Sequence, residues 1–171
     1  ETSMQDLADA CGINKASIYN TWTNKEQFFS AVIDFYCDSI TRQNAEELRG
    51  QDSGRAAIEA YFDGQIAFLC NEGHGLGCFL TNTAGELGFT SPPIIERLRK
   101  IFFEMMENFM GAVRRGQEDG SIVRDEDPLM LALTLQNALQ GIRMLARAGD
   151  PPEHVLRHIM RLSMRCLDTR A

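Results

Sequence analysis

No apolar run among the 171 residues approaches the length of a membrane-spanning helix. A bilayer crossing needs about 20 consecutive apolar residues. The N-terminal residues also lack the basic stretch followed by a hydrophobic run that marks an export signal. The sequence therefore predicts a cytoplasmic protein with no membrane partner.

Cysteine pairs are missing as well. The five cysteines are widely scattered, and no two of them form a C-x-x-C pair. This distribution argues against a disulfide scaffold and against a zinc site, and it favours reduced thiols. The histidines do not complete a metal-ligand set either. We expect no metal and no cofactor.

Two further absences exclude classes of function. The sequence has no nucleophile elbow, no paired carboxylates beside a histidine and no cofactor fingerprint, so we expect that the protein is not an enzyme. Positive charge is not in excess, since the formal net charge is −7 at pH 7. This charge counts against indiscriminate nucleic-acid binding, which depends on a basic surface, but it leaves room for a local DNA-binding footprint.

What the sequence does have is a dense set of helix signals near its N-terminus. Ser3 followed by Asp6 matches a capping box, and Gly12 suits the left-handed residue that ends a first helix. Asn14 can cap a second short helix, in which Ile18 faces inwards. Two short helices around a glycine-bearing turn predict a helix-turn-helix, whose second helix enters the major groove of DNA.

From Thr2 the same segment has the pattern T-S-M-x-x-L-A-x-x-x-G-I-x-K-x-S-I-Y-x-x-W-x-x-K-E-x-F. This pattern resembles the DNA-binding part of the tetracycline-repressor (TetR) family of bacterial transcriptional regulators. We expect Ile13 to fill the corner between the two helices. Trp22 stands where the family usually has Phe, and Thr21 where His or Tyr is common. The family has a further helix, which we expect upstream of Glu1.

The resemblance implies operator DNA as a partner. Tyr19 and Lys25 match the family's contacts to the DNA backbone, and Ser3 lies near the phosphates. The short polar side chains of the second helix are expected to face the groove. The alternative is that these are ordinary exposed residues on a helical corner. The predicted DNA-binding residues are Ser3, Lys15, Ser17, Tyr19, Asn20, Thr21 and Lys25.

The rest of the sequence predicts more helices and no strand. Pro92 and Pro128 follow good N-cap residues at the starts of two long apolar helices, and Gly120 ends the first of them. The phrase GCFLTNTAGEL also looks like the ligand-binding domain of one branch of the TetR family. The predicted fold class is all-α, with a helix-turn-helix head in domain 1–45 and a helical ligand-binding and dimerisation bundle in domain 46–171.

A small-molecule effector is the second predicted partner. The aromatic, aliphatic and methionine side chains of the bundle either line an apolar cavity or fill a core, and as a set they favour a pocket. The polar side chains on the same segments either orient a ligand or make capping and inter-helix hydrogen bonds. The predicted ligand-binding residues are Phe62, Ile66, Cys78, Asn82, Glu86, Phe102, Met106, Phe109, Gln136 and Gln140.

Cys78 has an alternative role. It follows a glycine-rich loop at a predicted helix N-terminus, where a thiol can be activated as a sensor of oxidants or electrophiles. Burial as an inert free thiol is the commoner fate of cysteine.

The last two helices, residues 128–148 and 152–168, are apolar on most sides, which is typical of helices that are central or shared with a partner. In the TetR family the corresponding helices pair as a four-helix bundle, which implies a homodimer. The sequence thus predicts a ligand-responsive regulator, most simply a repressor, in which the long helix from Lys25 transmits the signal. The alternatives are a Cys78 sensor or a helical binding module that makes no DNA contact.

Overall fold

The structure is a computed structural model that describes residues 2–50, 53–73, 75–87 and 91–169. Within these ranges every regular element is a helix, which confirms the predicted all-α fold class. A π-helical turn (Cys37–Thr41) follows α3, and a 3-10 turn (Met164–Leu167) follows α9. The α-helices are α1 (Met4–Cys11), α2 (Lys15–Thr21), α3 (Lys25–Tyr36), α4 (Arg42–Arg49), α5 (Gly54–Cys70), α6 (Phe79–Leu87), α7 (Pro92–Asp119), α8 (Pro128–Gly149) and α9 (Glu153–Ser163).

The chain divides into two compact units, which we call the head (Glu1–Ile40) and the body (Thr41–Ala171). The head contains the predicted helix-turn-helix, and the body contains the long apolar helices. The boundary expected between residues 45 and 46 falls within α4 and stays a prediction.

In the head, α1 begins with the predicted capping box. The Ser3 hydroxyl accepts a hydrogen bond from the Asp6 N–H (3.2 Å), and the Asp6 carboxylate accepts one from the Ser3 N–H (2.7 Å). The hydrogen bond from the Ser3 backbone is the main cause that lowers the pKa of the Asp6 carboxyl. At the other end, Gly12 is left-handed (φ 65°) and closes a Schellman motif with the N–H of Ile13 bonded to the Ala8 carbonyl (3.0 Å).

Three apolar side chains hold α1 against α2. Met4, Ala8 and Ile18 form a buried cluster, in which Ile18 has none of its surface exposed. The prediction that Ile13 fills the corner is wrong, because 46% of this residue is exposed. The Schellman motif holds its N–H on the Ala8 carbonyl, but its side chain does not enter the buried cluster of Met4, Ala8 and Ile18. The partly buried side chains of Leu7, Trp22 and Phe28 pack against this cluster. The rings of Trp22 and Phe28 meet edge to face, with their centroids 4.9 Å apart.

The core of the body lies between α5, α7 and α8. Tyr61 and Phe62 on α5 and Phe109 on α7 each have 1% of their surface exposed. The Tyr61 ring meets Phe109 edge to face at 5.4 Å, and the Phe62 ring stacks on Phe109 at 5.7 Å. Leu135 and Leu139 of α8 are fully buried in the same cluster. Each such side chain contributes about 1.5–3 kcal/mol by burial, so this cluster dominates the stability of the body.

α5 and α7 approach each other closely at two glycines. A Cβ atom placed on Gly54 would lie 2.2 Å from the backbone nitrogen of Gly116 and 2.3 Å from the carbonyl oxygen of Ala112. Contacts this short do not occur between real atoms, so only glycine permits this approach.

The N-terminus of α5 is held at the same place by residues at the end of α7. The Asp119 carboxylate accepts hydrogen bonds from the N–H groups of Gly54 (2.9 Å) and Ser121 (2.8 Å), and the Ser121 hydroxyl accepts one from the N–H of Arg55 (3.3 Å). The hydrogen bond from the Ser121 side chain is the first cause that lowers the pKa of the Asp119 carboxyl. The free N–H groups of α5 are thus satisfied from outside the helix.

Two helices are interrupted where the sequence predicts continuity. The long helix expected from Lys25 contains the π-helical turn between α3 and α4. There the Ser39 hydroxyl donates to the Phe35 carbonyl (2.7 Å), which is the acceptor that an uninterrupted α-helix gives to the N–H of residue 39. The last helix ends at Ser163 and continues as the 3-10 turn.

Candidate DNA-binding surface, polar cluster and dimer face

The outer surface of α2 carries the predicted DNA-reading side chains. Ile18 is buried and anchors α2 to α1, while its neighbours in the helix point away from the head core. Because the anchor lies on one side only, the other sides of the helix are available to a partner. The predicted DNA-binding residues are all exposed: Ser3, Lys15, Ser17, Tyr19, Asn20, Thr21 and Lys25.

Two contacts order this surface. The Lys15 ammonium lies 5.9 Å from the centroid of the Tyr19 ring, so that the cation and the aromatic face form one patch. The Thr21 hydroxyl donates to the Ser17 carbonyl (3.3 Å), which leaves its oxygen lone pairs facing outwards as acceptors.

Lys25 lies at the first position of α3, next to a capped helix N-terminus. Asn24 caps α3 by accepting a hydrogen bond from the N–H of Gln27 (2.9 Å). A helix N-terminus carries partial positive charge, and an adjacent lysine adds a full charge. The combination suits a phosphate group, and the contact of Lys25 with DNA stays a prediction.

The body contains a cluster of polar side chains around Arg143, which we call the polar cluster. The Arg143 guanidinium donates to the Gln65 side-chain oxygen (2.5 Å) and to the Cys78 sulfur (3.6 Å). Burial raises the pKa of the Tyr61 hydroxyl, and the positive charge of the nearby Arg143 guanidinium acts in the opposite direction. Helix α5, the residue before α6, and α8 therefore meet at one buried cation.

A second polar pair lies beside the first. The Thr81 hydroxyl donates to the side-chain oxygen of Gln140 (2.6 Å). Thr81 follows Cys78 by three positions and Gln140 precedes Arg143 by three, so the two pairs are neighbours between α6 and α8. We include Thr81 and Gln140 in the polar cluster.

Two of the predicted ligand-binding residues, Cys78 and Gln140, lie in the polar cluster. Four others lie in the apolar core of the body, where the Phe62 and Phe109 rings contact Tyr61, and Phe102 is half-buried. The four core residues are Phe62, Ile66, Met106 and Phe109. Whether any of them contacts a ligand stays a prediction.

The other polar candidates make local hydrogen bonds or face outwards. Asn82 donates to the Leu76 carbonyl (3.1 Å), and Gln136 donates to the Phe102 carbonyl (3.1 Å). The Glu86 side chain is exposed, and it does not point into the core as expected for a group that orients a buried ligand. Asn82 and Gln136 thus make hydrogen bonds within the protein, as in the alternative interpretation of these polar residues.

The sequence prediction missed Tyr61, Gln65 and Arg143 as site residues. One signal was available, since Gln136, Gln140 and Arg143 recur at helical spacing on an otherwise apolar helix. A polar stripe on a buried helix needs partners inside the protein. Only the fold identifies those partners.

A surface pocket of about 510 Å³ lies elsewhere, beside the N-terminal half of α8 and the 3-10 turn. None of the predicted ligand-binding residues lines it. Its walls include Met130, Thr134, Arg165 and Cys166.

An apolar face of α8 and α9 is uncovered in the single chain, and we call it the dimer face. Its large side chains on α8 recur at helical spacing, and between 43% and 53% of their surface is exposed. Gly141 lies on the same face and is also exposed. The exposed apolar residues are Met130, Leu133, Met144 and Leu145 on α8 and Leu162 on α9.

Two family models match the chain. The model described as "Tetracyclin repressor-like, C-terminal domain" matches residues 54–161, which is more than half of the chain. The model described as "Bacterial regulatory proteins, tetR family" matches residues 1–32. The chain belongs to the TetR family. The predicted resemblance is therefore confirmed, and the members of this family are transcriptional regulators and not enzymes.

Two curated TetR-type repressors align with most of the chain. The HTH-type transcriptional repressor DhaR of Mycobacterium sp. (strain GP1) is 30% identical over 159 residues, which cover 91% of this chain and 78% of the relative. The HTH-type transcriptional repressor ComR of Escherichia coli (strain K12) is 28% identical over 156 residues, which cover 91% and 74%.

Solved TetR-family structures share the fold. A cysteine-substituted CifR in complex with 26-base-pair operator DNA gives a TM-score of 0.83 at 23% identity and covers 97% of this chain and 86% of that one. A regulator from Cytophaga hutchinsonii gives a TM-score of 0.82 at 18% identity and covers 97% of this chain and 82% of that one. Among the residues that the structure describes, no helix combines the length and apolar character needed to cross a membrane.

Proposed function

We propose that this TetR-family protein is a cytoplasmic repressor that binds operator DNA as a homodimer and is released by a small molecule bound in the body. The observation that carries the proposal is an exposed, correctly capped α2 within a sequence that both family models match. Two relatives are named as repressors, and one structural neighbour holds operator DNA.

A homodimer supplies the geometry that operator recognition requires. Two copies of α2 related by a two-fold axis fit half-sites about one helical turn apart. The uncovered dimer face of α8 and α9 supports pairing at residues 128–148 and 152–168, because it exposes several large apolar side chains that a partner subunit would cover.

Release by an effector requires a difference in affinity between two conformations. The effector shifts the protein off DNA only if it binds better to the conformation whose heads do not match the half-site spacing. Along the chain, the head continues into the body through α3, the π-helical turn and α4, and we propose this segment as the transmitter.

Replacing Lys25 with Ala is expected to weaken operator binding and to reduce its salt dependence. Loss of one phosphate contact per protomer lowers the slope of log affinity against log salt by about 2 per dimer. Tyr19→Ala is expected to weaken binding with little change in slope, since its hydroxyl is uncharged. Fluorescence anisotropy with the natural full-length protein and DNA from upstream of its own gene, at several salt concentrations, measures both quantities.

Lys100→Ala is the matched control, because Lys100 is an exposed lysine on α7 of the body. Its affinity and slope should equal those of the unchanged protein. Unaltered DNA binding by both Tyr19→Ala and Lys25→Ala would remove the assigned contacts. Absence of DNA binding by the unchanged protein would favour a helical binding module without DNA contact.

Regulation through Cys78 is a second candidate, favoured by the contact between its sulfur and the Arg143 guanidinium at 3.6 Å. Burial opposes it, since only 5% of Cys78 is exposed. If Cys78 is the sensor, N-ethylmaleimide should abolish operator binding, and Cys78→Ser should prevent that loss. Cys11→Ser controls for modification of the exposed thiol of the head. Retained sensitivity in Cys78→Ser would exclude the sensor role.

A further inference from the structure

Arg143 is a buried cation whose partners are all neutral. Of the charged residues that the structure describes, it alone is buried, with 8% of its surface exposed. Its hydrogen-bond partners are an amide oxygen and a thiol, from Gln65 and Cys78, and the Tyr61 phenol lies close to it. Within the described ranges no carboxylate pairs with it.

This arrangement is costly in the absence of an anion. An ionised side chain taken out of water loses several kcal/mol of solvation unless an opposite charge compensates it. Neutral acceptors recover part of that loss, and a thiol sulfur is the weakest acceptor among them. The 3.6 Å contact with Cys78 is therefore the one that an incoming anion displaces most easily.

Gln140 provides an independent sign of a missing partner. One end of its side-chain amide is bonded to Thr81, while the other end, Nε2, is buried with no hydrogen-bond partner. A buried amide group without a partner costs about 1–3 kcal/mol. Because Gln140 and Arg143 lie one turn apart on the same side of α8, both can donate to one group.

The surroundings determine what kind of anion fits. Tyr61, which lies beside the cation, packs against the Phe62 and Phe109 rings, so the surroundings of the cation on that side are aromatic. The N-terminus of α6, directly after Cys78, adds partial positive charge. The planar guanidinium of arginine matches the two oxygens of a carboxylate.

We propose that the effector is a small organic carboxylate with an apolar body, held by the Arg143 guanidinium and the Gln140 amide between α5, α6 and α8. This inference rests on the proposed function of an effector-released regulator and names the chemical class of that effector. The carboxylate replaces the Cys78 sulfur as an Arg143 partner and supplies the acceptor that Gln140 lacks. No covalent step is involved.

The test measures binding without DNA. Benzoate, phenylacetate and octanoate are titrated into the natural full-length protein by calorimetry, alongside the matched neutral amides, with melting temperatures recorded at equal ligand concentration. At least one carboxylate should bind and raise the melting temperature, as a ligand of the folded state does, while its amide should not. Arg143→Gln should weaken that binding by more than about tenfold, since it removes a buried charge contact.

Arg147→Gln is the matched control, because Arg147 is an exposed arginine one turn further along α8. It should bind the carboxylate normally. Gln140→Leu should weaken carboxylate binding by several-fold. If circular dichroism shows that Arg143→Gln does not fold, the affinity of Gln140→Leu tests the proposal instead. Arg143→Lys should recover part of the affinity, because it restores the charge without the planar fork.

The proposal is overturned if no carboxylate of the panel binds, if the amides bind as well as the acids, or if folded Arg143→Gln retains full affinity. These results would leave the repressor function standing, since operator binding is measured separately. Conversely, carboxylate binding in a protein that never binds operator DNA would keep the site and remove the repressor function.

Discussion

Leu133→Glu is expected to make the protein monomeric and to lower its operator affinity by at least about a hundredfold. Leu133 lies on the dimer face in the N-terminal half of α8, with 43% of its surface exposed in the single chain. In a two-fold interface each substitution occurs twice, so two carboxylates are desolvated in one apolar contact. A monomer contacts one half-site only, and specific binding exceeds non-specific binding by roughly 10³–10⁷ in affinity.

Analytical ultracentrifugation and anisotropy on the same operator fragment measure the two effects together. Leu76→Glu is the matched control, because Leu76 is an equally large apolar residue with 63% exposure, outside the dimer face. It should leave both the dimer and the DNA affinity intact. A Leu133→Glu protein that remains dimeric at micromolar concentration would place the dimer contact elsewhere.

Gly54→Ala is expected to destabilise the body by about 3 kcal/mol or more. The added methyl group would meet the backbone of α7 at Gly116 and Ala112, and backbone cannot turn aside as a flexible side chain can. Overpacking of a rigid core costs about 1–3 kcal/mol, occasionally more, and contact with backbone lies at the upper end. Separation of α5 from α7 would also break the hydrogen bond from the Gly54 N–H to Asp119.

Gly64→Ala is the control within the same helix. No atom lies within 4 Å of a Cβ placed at Gly64, so this variant should be stabilised by about 0.5–1 kcal/mol through helix propensity alone. Thermal unfolding at one fixed protein concentration compares the three proteins, because dimer stability depends on concentration. Equal melting temperatures for Gly54→Ala and the unchanged protein would contradict the close approach of α5 and α7.

Local signals predicted the head almost completely. Ser3, Asp6, Gly12 and Asn14 take the capping and turn roles that their side chains suggest, because these interactions span only a few residues of sequence. Ile13 departs from prediction, since its exposure depends on which side of the turn faces the core. The π-helical turn after α3 was also missed, because a single hydroxyl bond at Ser39 competes with an otherwise regular helical pattern.

In the body, the candidate site could be predicted only in part. Apolar periodicity identified the long helices, and Cys78 and Gln140 were selected as chemically useful residues before their partners were known. Nothing in sequence spacing relates Gln65 to Arg143, which are 78 positions apart and hydrogen-bonded in the fold. Glu86 was selected as a ligand-binding residue, but its side chain faces outwards, and its position on α6 gave no indication of this orientation.

The sequence by itself determined the family, the all-α class and the chemistry presented on α2, because a dense motif and helix caps act over short distances along the chain. The tertiary structure alone decided that a cation on α8 is buried among neutral groups from α5 and α6, and that two glycines set how closely α5 and α7 pack. These features arise from contacts between residues distant in sequence, where burial sets the energetic cost of a charge or of one additional methyl group.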